Sequence, residues 1–281
     1  MNTYTRVWIT GAKGLIGYRL CQTAPEMSRV IALTRENLDL TDFAAVERQF
    51  AQDRPDLIIH CAAMSRSPEC TDNVLGAFRI NHKATVFLAQ LARDVNFIFF
   101  STDQVFDGAK GSYVESDSPN PLGIYGATKL AAEKDIAKNP RHTIIRLALC
   151  GGCSLRKTAF NEELHKVWSE QGVPKFFMDE YRTPIAAPVA ARAVWELAAS
   201  GATGIYHLGG SKRMSRLEIG KLVAARHPEL DPHFLAGSLR DYHGAPRAPD
   251  TSLCCDKIQK LLSFPLPGLD DWLRDNPLEP F

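Results

Sequence analysis

The chain lacks any apolar run long enough to cross a bilayer, and it lacks an excess of either charge. Its 281 residues carry 33 Lys and Arg against 32 Asp and Glu, a formal net charge of +1. Such a balance supplies no basic field for nucleic acid. A spanning helix needs about 20 consecutive apolar residues, which are not found, and residues 1–6 lead directly into a strand pattern rather than a secretory leader. The expectation is a soluble cytoplasmic protein without a membrane partner. Internal repeats and low-complexity tracts are also missing. Cysteine is present, but the seven residues are an odd number, so no disulfide framework is expected. Cys150 and Cys153 have redox or zinc-like spacing, yet no second pair follows. The adjacent Cys254 and Cys255 are ill suited to chelating one ion with both thiolates. No metal site is expected, and the thiols are read as reduced and mostly packed.

What is present is enough apolar residue, 45% of the chain, to bury a large core. Residues 6–10 read as a short buried strand and 15–23 as a helix. Between them Gly11, Gly14 and Gly17 are spaced G-x-x-G-x-x-G. Glycines there let the backbone approach a pyrophosphate, and the amides and dipole of the helix N-terminus attract its charge. Further strands at 30–33, 56–63, 96–101 and 143–148 alternate with helices at 41–53, at 73–94 and after Tyr125. Continuous β-branched runs separated by helices predict an α/β fold, a doubly wound parallel Rossmann sheet over 1–150. Beyond Gly151 the pattern is less regular. A helix near 157–171 and the spaced Pro174, Pro184 and Pro188 predict a smaller, discontinuous substrate-binding lobe over 151–281. Residues of about 203–226 return to the Rossmann core, through a strand at 204–209 and a helix capped by Ser215 with Glu218 as its capping-box partner.

Tyr125 and Lys129 lie one helical turn apart, so phenol and ammonium share a helix face. A neighbouring cation favours phenolate and is expected to lower the tyrosine pKa, giving a proton donor for ketone chemistry. Upstream, Ser101, Thr102, Asp103 and Gln104 end the fourth strand.

Residues 10–17, Ala62 and Ala63, Asn81, Ser101 and Thr102, and Tyr125 with Lys129 together resemble the extended short-chain dehydrogenase/reductases. Within them, 101–108 (STDQVFDG), 125–133 (YGATKLAAE) and 246–253 (PRAPDTSL) closely resemble the dTDP-4-dehydrorhamnose reductase group. The resemblance implies that Tyr125 protonates a carbonyl oxygen, that Lys129 lowers its pKa and holds the nicotinamide ribose, and that Thr102 hydrogen-bonds the substrate oxygen. It assigns Gly11, Gly14, Leu15 and Ile16 to the pyrophosphate, Asp39 and Leu40 to one side of the adenine, and Ala62 and Ala63 to the other. Asn81 would support the site, although a helix-interior asparagine can equally point to solvent. The second strand ends in Thr34 and Arg35 rather than the acidic residue that holds NAD ribose hydroxyls. With Lys13, Arg35 resembles the basic pair of NADP-using GDP-fucose synthases. NADP(H) is therefore expected over NAD(H), with Glu36 as a counterweight. Arg182 and Arg247 are the candidates for a substrate diphosphate.

The related sugar-nucleotide dehydratases carry Asp-Glu after the catalytic threonine, where this chain has Asp103 and Gln104. An amide cannot shuttle the proton that elimination requires. Epimerases of the same family retain tightly bound NAD, against which Thr34 and Arg35 argue. The expectation is an NADPH-dependent reductase of a keto sugar nucleotide, with a homodimer left open. A second class also fits the resemblance: the regulatory subunit of methionine adenosyltransferase, a nucleotide-binding partner protein. Tyr125 and Lys129 are both retained here.

Overall fold

The computed structural model describes residues 2–281. Five strands, β1 (Arg6–Thr10), β2 (Arg29–Leu33), β3 (Leu57–His60), β4 (Asn96–Thr102) and β5 (His142–Leu147), join Gly204–Leu208 in one six-stranded sheet. The order is β2, β1, β3, β4, β5, Gly204–Leu208, and every pairing is parallel. Alternation along the strands explains their unbroken apolar runs. Val7, Ile9, Leu57, Ile59, Ile98 and Phe100 enter one core, while Trp8, Ile58, Phe97 and Phe99 enter the other. Both faces are covered, so neither needs polar residues. Leu15–Gln22 and Ala187–Ser200 cover the first face; Phe43–Asp53, Thr85–Leu91 and Ile124–Ile136 cover the second.

Two elements differ from expectation. The helix predicted over 73–94 is Val74–Phe78, a π-helical stretch Arg79–Ala84, and Thr85–Leu91. The widened turn carries a buried Asn81, and single π turns often mark functional positions. The second difference is the 14-residue helix Ala187–Ser200, which sequence reading missed. Pro188 lies in its first turn, where the absent N–H has no intrahelical partner to lose, so this proline starts a helix instead of interrupting one. The chain thus rejoins the sheet layer at Ala187, before residue 203.

Three short strand pairs build the lobe. Cys150–Gly151 pairs with Ile185–Ala186, Lys175–Phe177 with Leu235–Gly237, and Tyr181–Arg182 with Met214–Ser215. Arg216–Ala225 has the expected cap: Ser215 Oγ accepts from Glu218 N at 3.2 Å and Glu218 Oε2 accepts from Ser215 N at 2.7 Å. This helix packs on Lys175–Phe177, with Gly220 against the Phe176 ring, while its Ile219, Val223 and Ala224 share one core with the sheet. Among the described residues no helix is long and apolar enough to cross a membrane.

Candidate active site

The strand order reverses between β1 and β3, and there, at the carboxyl ends of the strands, the molecule opens a cleft of about 750 Å³. Gly11 forms its floor with φ +66°. A Cβ at Gly11 would stand 2.8 Å from Ala62 N, so glycine allows both the left-handed turn and the close approach of the strand ends. Gly14 leads Leu15–Gln22 with no side chain capping the helix and no acid in its first turn. Its amides remain free for an anion. Below the turn, Thr10 Oγ1 meets His60 Nδ1 at 2.8 Å and accepts from Ala62 N at 3.1 Å, while His60 Nε2 meets Thr85 Oγ1 at 2.9 Å. Burial, then the nearby Lys129 charge, takes the His60 pKa down to about 3, so this ring is a neutral structural link.

Asn81 points inward. Its Oδ1 accepts from Met64 N at 2.8 Å, and its Nδ2 donates to Met64 O and Thr128 Oγ1, both at 3.0 Å. Thr128 Oγ1 in turn donates to Tyr125 O at 2.7 Å. One asparagine thereby ties the loop after β3 to the first turn of Ile124–Ile136, the helix that carries Tyr125 and Lys129.

The electrostatics of that pair correct the sequence expectation. Burial, chiefly, and the Asp103 charge raise the Tyr125 pKa, and a hydrogen bond with Thr102 opposes them only in part. Its side chain is half-buried, with part of its surface open to the cleft. Lys129 is wholly enclosed, its Nζ 4.1 Å from the centre of the Phe99 ring. Burial brings its pKa down to about 7 against the attraction of Glu133. Helical spacing puts the two groups on one face, but burial, not their mutual attraction, sets the direction of both shifts. The phenol is protonated.

At the substrate end, Thr102 Oγ1 accepts from Gln104 N at 3.2 Å. Asp103 is buried, accepts from Thr251 Oγ1 at 2.7 Å, and lies 3.5 Å from Arg182 Nε. Arg182 also donates to Glu180 Oε1 at 2.9 Å and to Tyr181 O and Ala248 O at 2.6 and 3.2 Å. It lines the cleft as a charge whose donors are already engaged, not as a free fork. Arg247 holds Glu180 through Nε and Nη2 at 2.8 and 3.1 Å and is not among the cleft residues. Segment 246–253 instead clasps 108–113: Tyr113 N donates to Ser252 O at 2.8 Å, and a Cβ on Gly108 would come within 2.7 Å of Asp250 N.

On the far rim, Lys13 Nζ is 2.5 Å from Glu36 Oε2, which also accepts from Thr34 Oγ1 at 3.0 Å. Arg35 stands nearby and helps hold the Asp39 carboxyl below its ordinary value, after the hydrogen bonds from Thr41. Gly11, Lys13, Gly14, Leu15, Ile16, Thr34, Arg35, Asp39, Leu40, Ala62, Ala63, Thr102, Tyr125 and Lys129 all line this cleft. Sequence reading missed Arg79 and Arg156 on its wall, as well as the roles of Glu180 and Thr251. Arg156, Glu180 and Thr251 lie in irregular segments that carry no periodicity, and Arg79 sits in the π-helical stretch, where a polar position has no mark of its own.

A glycine turn opening a helix at the switch point, with a Thr, Tyr and Lys across the same cleft, defines an NAD(P)-dependent oxidoreductase of the extended short-chain dehydrogenase/reductase type. The chain belongs to the RmlD substrate binding domain family, whose model matches residues 5–275. It is 30% identical over 285 residues to a dTDP-4-dehydrorhamnose reductase of Sinorhizobium fredii, covering 96% of this chain and 95% of that one. It is 27% identical over 303 residues to methionine adenosyltransferase 2 subunit beta of Danio rerio, covering 99% and 91%. A dTDP-4-dehydrorhamnose reductase of Bacillus anthracis, solved in complex with NADP, superposes with a TM-score of 0.89 over 97% of this chain and 98% of that one, at 22% identity.

Proposed function

We propose that the protein reduces the keto group of a nucleoside-diphosphate sugar with NADPH, and that the substrate is a dTDP-4-dehydro sugar of the kind named for its relatives. The observation that carries this reading is Tyr125, half-buried beside Thr102, in the cleft that also holds Lys129 and the open glycine turn. The residues fit a dinucleotide: Gly11 keeps clear the space a Cβ would fill, and the amides after Gly14 can hold a pyrophosphate. Thr34, Arg35 and Lys13 favour the 2′-phosphate form. When bound, the nicotinamide supplies hydride to the carbonyl carbon.

The chain's own part is to handle the oxygen. Thr102 Oγ1 orients the carbonyl by a hydrogen bond, and Tyr125 donates its phenolic proton as negative charge develops. Lys129, with a pKa of about 7, exists in both forms at neutral pH and can return a proton towards the phenolate one turn away. Arg182 supplies positive charge at the substrate end while Asp103 and Glu180 hold it still. Gln104 also lines the cleft and its Oε1 accepts from Ser67 Oγ at 3.2 Å; it offers no carboxylate for elimination.

The test is NADPH consumption with dTDP-4-dehydrorhamnose, with dTDP-glucose as the control. Oxidation of NADPH with the first and no 4-keto-6-deoxy product from the second is the expected result. Formation of that product would identify a dehydratase. Tight NADPH binding with no turnover on any keto sugar nucleotide would favour the regulatory-subunit reading.

A further inference from the structure

Outside the cleft, on the surface of the lobe, two histidines and a glutamate converge from separate segments. His165 lies in Phe160–Ser169, and Glu229 lies in the turn Pro228–Leu230 that follows His227. One nitrogen of each ring and one Glu229 oxygen lie within 4.8 Å of one another. The two imidazole centres are 4.9 Å apart with their planes at 83°.

The surroundings of His227 decide what the group is for. Its Nε2 is 3.0 Å from the main-chain oxygen of Phe281, an acceptor, and this hydrogen bond holds the ring in place. Its other nitrogen, Nδ1, faces Glu229 Oε1 at 3.2 Å. A histidine with one nitrogen tied to a main-chain oxygen and the other turned to a carboxylate and a second imidazole has the form of an oriented metal ligand.

We propose that His165, His227 and Glu229 bind a divalent transition metal of borderline softness, such as Zn²⁺, at a site separate from the catalytic cleft. Two imidazoles and a carboxylate are a donor set such ions accept, with a water in the fourth position. Mg²⁺ and Ca²⁺ prefer oxygen ligands and are not expected to bind. Ligand bonds of about 2.0–2.2 Å in a tetrahedron place the ligand atoms roughly 3.4 Å apart. The site therefore closes by rotation of His165 and Glu229, both exposed, onto the anchored His227. Bound metal would tie Phe160–Ser169 to the chain end at Phe281. Phe160 lines the cleft, and its ring meets the Phe281 ring edge to face at 6.2 Å, so the tie stiffens one cleft wall. Sequence reading sought metal ligands among the cysteines; these three residues come together only through the fold.

The test uses the full chain after chelator treatment, titrated with Co²⁺ and followed by absorption, with melting curves in Zn²⁺ and in Mg²⁺. One Co²⁺ per chain in a four-coordinate nitrogen and oxygen field, without thiolate charge-transfer bands, is expected. Zn²⁺ should raise the Tm by several degrees and Mg²⁺ should not. His165→Ala and Glu229→Gln should each weaken Co²⁺ binding by roughly tenfold or more and abolish the Zn²⁺ effect. Their melting temperatures in chelator should match wild type, showing that they fold. Thiolate bands, equal affinity in His165→Ala, or no saturable binding by wild type would each overturn the site.

Discussion

Lys129 is enclosed in the fold with its ammonium against the Phe99 ring. Its place one turn after Tyr125 was legible; the direction of both pKa shifts was not, because it depends on water excluded by Phe99 and by strands distant in sequence. Folding takes the Lys129 pKa from 10.5 to about 7. Between those values the unfolded chain binds a proton that the folded chain does not, so this residue makes stability rise with pH across that window. Below pH 7 the full penalty of a buried ammonium applies. Lys129→Met should therefore be more stable than wild type near pH 7, with the gap shrinking as pH rises towards 10. Thiols and tyrosines whose pKa values are raised act oppositely at high pH, but equally in both proteins. Urea unfolding of the cofactor-free proteins at several pH values checks this, and a pH-independent gap would refute it. The basic pair at the rim was also legible, whereas the Glu36 partner of Lys13 was known only as a neighbour. Arg35→Ala should weaken NADPH by about 1.5–3 kcal/mol and leave NADH nearly unchanged. Glu36→Gln should tighten NADPH by releasing Lys13. Fluorescence titration with both cofactors decides, and equal NADH and NADPH affinity in wild type would contradict the assignment.

Among the elements, the strands of the sheet were legible because both faces are buried and each reads as a short, continuous apolar run. The π-helical turn at Arg79–Ala84 was not, since one extra residue per turn leaves no mark on an apolar pattern already spread around a helix. Ala187–Ser200 was obscured by Pro188 and by alanines that suit several structures. The helix carrying Tyr125 is anchored in a way composition did not suggest. Arg146 on β5 donates to Glu133 from Nη2 at 2.8 Å, with each side chain only 3% exposed. Removing one member leaves an unpaired buried charge, so Arg146→Ala should destabilise by about 3–5 kcal/mol. The double replacement Glu133→Leu with Arg146→Met should be much milder, because neither charge is then stranded. Chemical denaturation measures both, and equal losses would show that packing of the arginine stem, not the charge pair, sets the effect.

For the whole molecule, alternation of strands and helices sufficed to predict the doubly wound sheet, and the glycine turn fixed which end of it binds a nucleotide. The lobe was less legible. Its strands are two or three residues long, too short to carry a period, and its charged side chains find partners across large separations in sequence. Arg182 and Arg247, the candidate diphosphate ligands, illustrate this: Glu180 pairs with both. In the proposed reaction one cleft both holds NADPH and protonates a keto sugar through Tyr125. Its most direct test is steady-state NADPH oxidation with dTDP-4-dehydrorhamnose by wild type and Tyr125→Phe, with NADPH affinity measured in parallel. The account predicts a loss in kcat on the order of a hundredfold or more with NADPH affinity nearly unchanged. Near-normal turnover by the phenylalanine variant, or no turnover by a wild type that binds NADPH, would contradict it.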